Sequence, residues 1–239
     1  MALEPATGEV PGFLPSRNGF KFANRFPSGP TVRFGPIDVR WFGGIGDASA
    51  GLCGGMSAIV RDLFESSATP PLDVTPPQNG SRRFQALVRR QVQTLDWLRV
   101  PLRFYDLSAF RPRPPTAWSR FFRRRPAGEL ALEIEWPRIR REIDAGRLAM
   151  VGLIRAASAN PLGLTANHQV LAYGYRADPG LVALRLYDPN WPDRDDVEAR
   201  LTITADGVDA ESTTGEPLVA FFLAPYRAAD PAAWRSSQV

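Results

Sequence analysis

Residues 51–60 have the sequence GLCGGMSAIV, which contains the only cysteine of the 239-residue chain. Cys53 stands among three glycines, and apolar residues follow it at helical spacing as far as Glu65. This pattern predicts a helix that begins at Cys53. At a helix N-terminus, unpaired backbone N–H groups and the helix dipole favour a thiolate. Two interpretations of Cys53 are open here: a nucleophile, or a small buried hydrophobic residue beside a tight turn.

The composition is that of an ordinary globular protein. Hydrophobic residues make up 44% of the chain and charged residues 23%, so a sizeable core can form. The net charge of +4 comes almost entirely from arginine, since Lys21 is the only lysine, and it is modest for this length. One cysteine and one histidine exclude an intramolecular disulfide framework and a Cys/His zinc cluster. No metal and no cofactor is therefore expected.

The N-terminal sequence gives an expectation for location. Residues 1–16 lack a basic region followed by an apolar run, so no signal peptide is predicted. No window approaches the roughly eighteen consecutive apolar residues of a transmembrane helix. We expect a cytoplasmic protein, although secretion by a signal-independent machine would leave no mark in the sequence.

The order of the predicted elements indicates an α+β fold with helices first and an antiparallel sheet second. Residues 1–50 are rich in Gly, Pro and aromatic residues, which predicts an irregular arm packed on the domain formed by residues 51–239. Ser81 is the predicted N-cap of a second helix, and Pro137 the first residue of a third that ends at Gly146. The predicted strands lie in residues 148–156, 168–177, 181–190, 199–207 and 217–226.

The only histidine and a later aspartate fall at matching ends of two predicted strands. His168 begins the strand of HQVLAYGYRA, and Asp188 ends the next strand because Pro189 cannot donate to a sheet ladder. Counted outward from the turn at 177–180, the two residues are near cross-strand register. A thiol that performs hydrolysis needs a base and a group that orients the base. Cys53, His168 and Asp188 are thus a candidate catalytic set.

The segments GLCGGMSA, NHQVLAYGY and LYDPNWP resemble the Cys, His and Asp motifs of papain-like cysteine peptidases. The similarity is to bacterial branches with a Cys-His-Asp order, namely peptidases that process bacteriocin leaders (C39-like) and effector-type proteases. The resemblance implies a papain-like fold and hydrolysis of a peptide or isopeptide bond in a peptide or protein substrate. It makes Cys53 the nucleophile, His168 the general base and then acid, and Asp188 the residue that orients His168.

The chain departs from the family pattern at the oxyanion hole. The family has a glutamine about six residues before the cysteine, where this chain has Asp47, and the first glutamine is Gln78. An ionised Asp47 cannot donate a hydrogen bond and would raise the thiol pKa, whereas a protonated one could donate. Loss of one oxyanion donor costs roughly 100- to 1000-fold in rate. By the resemblance, the backbone N–H of Cys53 would be the other donor, and Asn190 would be the alternative orienting residue.

Three functions therefore remain open. The first is a cysteine hydrolase that forms a thioester acyl-enzyme on Cys53. The second is a weak or inactive papain-like pseudoenzyme that acts as a binding module, for which Asp47 is the best argument in the sequence. The third is a Cys-dependent acyltransferase, although transglutaminase-like folds usually have a shorter Cys–His separation than this chain.

The stretch from Arg111 to Arg125 combines six arginines with Trp118, Phe121 and Phe122. Arginines that alternate with aromatic residues can bind phosphates or an acidic partner. A surface loop whose aromatic residues pack inward has the same composition. No nucleic-acid-binding motif accompanies the stretch, so it predicts a surface patch and not a domain.

Overall fold

The fold is taken from a computed structural model that describes residues 3–27, 51–94, 103, 107, 125–155 and 168–235. The N-terminal part contains a strand, β1 (Ala6–Glu9), and one helical turn, α1 (Pro15–Asn18). The described part of the arm, which was predicted to be irregular, thus contains two regular elements, and β1 pairs with the central sheet. Its buried core residues are Val10, Phe13, Phe20, Phe22 and Phe26.

The predicted helices lie where the sequence places them. In chain order the helices are α2 (Cys53–Glu65), α3 (Arg82–Thr94), α4 (Ala127–Leu130), a π-helical turn (Ala131–Glu135), α5 (Trp136–Asp144) and α6 (Ala232–Arg235). Of these, α2, α3 and α5 are the predicted helices, and the others were not predicted. Ser81 caps α3, since its Oγ accepts a hydrogen bond from the Phe84 N–H at 3.2 Å. Among the helices of the described ranges, none has the length and apolar composition needed to cross a bilayer.

The second half of the chain forms an antiparallel sheet, as predicted. Its strands are β2 (Ala149–Ile154), β3 (His168–Asp178), β4 (Leu181–Tyr187), β5 (Glu198–Thr204), β6 (Gly207–Ser212) and β7 (Ala220–Leu223). The spatial order is β6-β5-β4-β3-β2-β7, and β1 also pairs with β3. The predicted single strand over 199–207 is in fact part of a hairpin, because the chain turns between Thr204 and Gly207 and continues as β6.

Helix α2 packs on the long central strand β3 and against helix α3. A Cβ on Gly55 would lie 2.2 Å from the Leu87 carbonyl oxygen of α3, so only glycine allows the two helix backbones to approach this closely. The Gly55 N–H donates to Gln91 Oε1 at 2.9 Å, which satisfies one of the N–H groups at the start of α2. The N-terminus of α2 also lies against the end of β3 that begins with His168.

Candidate active site

Cys53 is the first residue of α2 and is buried, with 9% of its surface exposed. The Gln169 N–H of β3 donates to Cys53 Sγ at 3.5 Å, and Ser57 Oγ donates to the Gln169 carbonyl at 3.2 Å. The thiol is therefore held against the residue next to His168. Both contacts join α2 to the beginning of β3, so the helix start and the strand start form one unit.

His168 and Asp188 form a buried hydrogen-bonded pair. His168 Nε2 lies 2.6 Å from Asp188 Oδ1, and the two residues are 3% and 2% exposed. Since Nε2 is engaged by the carboxylate, Nδ1 is the ring nitrogen left for Cys53. The structure thus brings together all three residues of the candidate catalytic set.

A β-bulge in β3 places Asp188 on the same face of the sheet as His168. Tyr173 is the extra residue of the bulge, and beyond it Leu171 pairs with Tyr187. With a regular register, Leu171 would instead lie opposite Asp188. Because successive strand residues alternate between faces, the carboxylate would then point away from His168. Counting residues from the turn does not reveal this extra residue.

Burial and charge act in opposite directions on the Cys53 thiol. Burial alone raises its pKa, but the charge of His168 and hydrogen bonds from His168 and the Gln169 N–H outweigh burial and lower the pKa below its ordinary value. Burial likewise opposes the charged form of His168, yet the charges of Asp188 and Cys53 raise the pKa of His168 to about 10. The arrangement favours a thiolate beside an imidazolium.

The Asp188 carboxylate is held in its ionised form from several sides. Burial raises its pKa, but the charge and hydrogen bond of His168, the Asn190 N–H at 2.8 Å and the charge of Arg155 lower the pKa overall. Arg155 Nη2 lies 3.5 Å from Asp188 Oδ2 and 2.6 Å from Glu216 Oε2. Arg155 was missed by the sequence analysis, although a charged residue directly after the apolar strand β2 is a visible signal.

Asn190, the alternative orienting residue, makes no hydrogen bond to His168 with its side chain. Its N–H supports Asp188, and its Oδ1 accepts a hydrogen bond from Asn24 Nδ2 at 3.1 Å. Asn24 was also missed, because a single asparagine in the N-terminal segment gives no periodic or motif signal. Asp188 is therefore the residue that the structure sets against the imidazole.

The three glycines around Cys53 are explained by contacts within the chain. A Cβ on Gly54 would lie 1.9 Å from Gln169 Oε1. Gly51 has a φ of +87°, which L side chains rarely adopt. Gly55 faces the backbone of α3, as described above. The glycines thus shape the site by allowing its own elements to approach each other.

Some predicted features lie outside the described residues. Asp47 is among them, as is the stretch from Arg111 to Arg125 except for its last residue. Arg125 forms ion pairs with Glu129 and Glu133. Within the described ranges, no three His, Cys, Asp or Glu side chains are placed to hold a metal ion.

Comparison of the chain with protein-family models, with curated proteins and with solved structures finds no match. The site is therefore interpreted from its own geometry.

Proposed function

We propose that the chain is a papain-like cysteine hydrolase that cleaves a peptide or isopeptide bond through a thioester on Cys53. The observation that carries the proposal is the buried Cys53–His168–Asp188 arrangement, with the His168–Asp188 distance of 2.6 Å. A thiol, a base and a group that orients the base are the requirements of nucleophilic catalysis by cysteine. The position of the start of α2 against the beginning of a central strand of an antiparallel sheet further supports the resemblance.

The electrostatics supports a reactive thiol. The pKa of Cys53 is lowered by His168 and the Gln169 N–H against the effect of burial. A thiolate is the nucleophilic form of cysteine, and the neighbouring imidazolium holds the proton needed in the next step. A structural cysteine buried in apolar surroundings would have a raised pKa and would be inert.

In the first half of the reaction, Cys53 Sγ attacks the carbonyl carbon of the scissile bond and forms a C–S bond. The resulting oxyanion accepts a hydrogen bond from the Cys53 N–H at the start of α2. His168 then gives its proton to the leaving amine as the C–N bond breaks, which leaves an acyl group on Sγ. Asp188 holds the ring so that Nδ1 faces the thiol throughout.

In the second half, His168 takes a proton from water, and the hydroxide attacks the thioester carbonyl. The C–S bond breaks, the acid product leaves, and Cys53 returns as the thiolate beside the imidazolium. In the resting enzyme His168 has already taken the thiol proton as a base, so the ring acts as acid in the first half of the reaction and as base again in the second. Asp188 stabilises the charged ring in the resting enzyme.

The first test is the rate of alkylation by iodoacetamide across pH, which reports Cys53 alone because the chain has one cysteine. We expect rapid labelling below pH 7, and a roughly 10- to 100-fold slower rate at pH 6 in His168→Ala. Cys53→Ala is the control for non-specific labelling. A profile that follows an ordinary thiol near pH 8.5, or a thiol that reacts only after unfolding, would overturn the proposal.

The second test separates hydrolysis from binding alone. Incubation with p-nitrophenyl acetate should release p-nitrophenolate and leave an acetyl group on Cys53, detected by mass spectrometry, which water then removes. Steady release that depends on Cys53 and His168 supports the hydrolase. An acetyl group that forms once and persists instead identifies a binding module with a reactive thiol.

A further inference from the structure

Asn24 connects the two halves of the candidate site through three hydrogen bonds. Its N–H donates to the Pro189 carbonyl at 2.8 Å, and its Nδ2 donates to Asn190 Oδ1 at 3.1 Å. On the other side, the Leu52 N–H donates to Asn24 Oδ1 at 2.6 Å. Leu52 directly precedes Cys53, and the Asn190 N–H donates to Asp188. Asn24 therefore links the segment that carries the nucleophile to the turn that carries the orienting acid.

The backbone beside Cys53 is shaped around this side chain. Gly51 has a φ of +87°, and a Cβ at this position would lie 2.5 Å from Asn24 Nδ2. A side chain at residue 51 would thus be strained and would collide with the Asn24 amide. This explains why a glycine stands two residues before Cys53.

The three hydrogen bonds have different consequences. The hydrogen bond from the Leu52 N–H holds the N-cap residue of α2 in place. It therefore also fixes the direction in which the Cys53 side chain projects from the start of the helix. The hydrogen bonds to Pro189 and Asn190 fix the turn after β4, in which the Asn190 N–H donates to the Asp188 carboxylate. A shift of Asn24 would change the position of the thiol relative to His168.

We propose that Asn24 is a positioning residue that holds Cys53 in line with the His168–Asp188 pair, so that the N-terminal segment is part of the active site. This inference rests on the proposed hydrolase function. Asn24 acts through Leu52 and Asn190 and touches no reacting atom. The segment that carries it is tied to the core by Phe22 and Phe26, which are both buried.

The test compares the alkylation profiles of Asn24→Ala and Asn24→Asp with the wild type. Loss of both amide hydrogen bonds in Asn24→Ala should slow labelling at pH 6 by about tenfold. In Asn24→Asp the carboxylate still accepts from the Leu52 N–H, but its negative charge close to Cys53 raises the thiol pKa and shifts the profile to higher pH. Asn18→Ala is the matched control, since Asn18 Oδ1 accepts from the Leu14 N–H at 2.9 Å on the same segment, away from the site.

The outcomes separate this inference from the proposed function. If wild-type Cys53 is activated by His168 but both Asn24 variants keep the wild-type profile, Asn24 has only a structural role and the inference is overturned. A lower melting temperature with an unchanged profile also overturns it. If wild-type Cys53 itself titrates as an ordinary thiol, both proposals fail together. Should Asn24→Ala not fold, Asn24→Ser takes its place, because its side chain is neutral and too short for either amide hydrogen bond, and an unchanged profile in this variant overturns the inference.

Discussion

The two ends of helix α2 both bury charged groups, but they bury them in different ways. At the N-terminal end, Cys53 faces a His168–Asp188 pair in which His168 has one nitrogen left for the thiol. At the C-terminal end, Asp62 forms a buried ion pair with Arg90 of α3, with Nε 2.9 Å from Oδ2. The same helix thus supports a candidate reactive group at one end and a structural ion pair at the other.

At the C-terminal end, several fixed donors hold one oxygen of the Asp62 carboxylate. Asp62 Oδ1 accepts from Arg90 Nη2 at 3.0 Å, from the Tyr226 hydroxyl at 2.6 Å and from the Ala229 N–H at 3.1 Å. Arg90 also donates to the Arg227 carbonyl at 3.0 Å. These bonds tie α2 and α3 to the segment after β7, and no nucleophilic atom is among them.

The pKa directions of the two aspartates differ accordingly. Burial raises the pKa of Asp62 despite Tyr226 and Arg90, whereas the charge of His168 lowers the pKa of Asp188 despite burial. Burial alone therefore does not identify a reactive site. What distinguishes the N-terminal end is a charged partner that is itself in contact with a thiol.

The largest expected effect is on stability, from Asp62→Ala. Removal of one partner leaves Arg90 buried without its counter-charge, so we expect the free energy of unfolding to fall by about 3–5 kcal/mol. The alkylation rate of folded Cys53 should not change, because the thiol is at the other end of α2. Urea unfolding and labelling of the same protein check both statements.

Glu65→Ala is the matched control for that measurement. Glu65 is a carboxylate of the same helix that is 25% exposed and lies 2.8 Å from Arg61, four residues earlier. Its loss should cost about 1 kcal/mol or less, because Arg61 keeps a second carboxylate, Glu142, at 3.6 Å. If Asp62→Ala slowed the labelling of Cys53 as strongly as His168→Ala does, the assignment of a purely structural role to the C-terminal end of α2 would be wrong.

A smaller effect is expected from Gly55→Ala at the N-terminal end. The added methyl group would meet the Leu87 carbonyl, so α2 and α3 must move apart, at a cost of about 1–3 kcal/mol. Labelling should also slow, because the start of α2 moves relative to Gln169. Gly180→Ala is the control, since a Cβ there meets nothing within 4 Å. Unchanged stability and labelling in Gly55→Ala would show that the close approach is not needed.

The smallest effect is a difference between Asp188 and Asp62 in how their contributions to the free energy of unfolding depend on pH. Every protein in this comparison carries Cys53→Ala, so that the thiol does not titrate. The pKa of Asp188 is lowered, so its contribution to stability is complete above about pH 4 and is lost as the pH falls through the lowered pKa. The pKa of Asp62 is raised, so its contribution is present below about pH 4 and is lost as the pH rises through the raised pKa.

Urea unfolding of Asp188→Asn and Asp62→Asn between about pH 3 and pH 6 checks these opposite signs. The stability advantage of the parent over Asp188→Asn should grow as the pH rises. The advantage over Asp62→Asn should shrink over the same range. If the stability advantage of the parent changed with pH in the same direction for both variants, the opposite pKa directions of Asp188 and Asp62 would be contradicted.

Much of the local structure was predictable from the sequence. The helix from Cys53 to Glu65 and the strand that begins at His168 follow from hydrophobic periodicity. Pro189 predicts a strand end at Asp188, and β4 ends one residue earlier, at Tyr187. These signals are local, because each depends on residues within a few positions of one another. The N-terminal strand β1 was missed, since its four residues are too few for a periodic pattern.

The sequence by itself determined the helix start that carries the thiol, the strand start that carries the imidazole, and the order of the two. Only the tertiary structure decided that they meet Asp188, because the bulge at Tyr173 moves the carboxylate to the face of His168. It also decided that Asn24 and Arg155 belong to the site. The physical reason is that register shifts and long-range hydrogen bonds depend on partners far apart in the chain, which leave no periodic mark on the sequence.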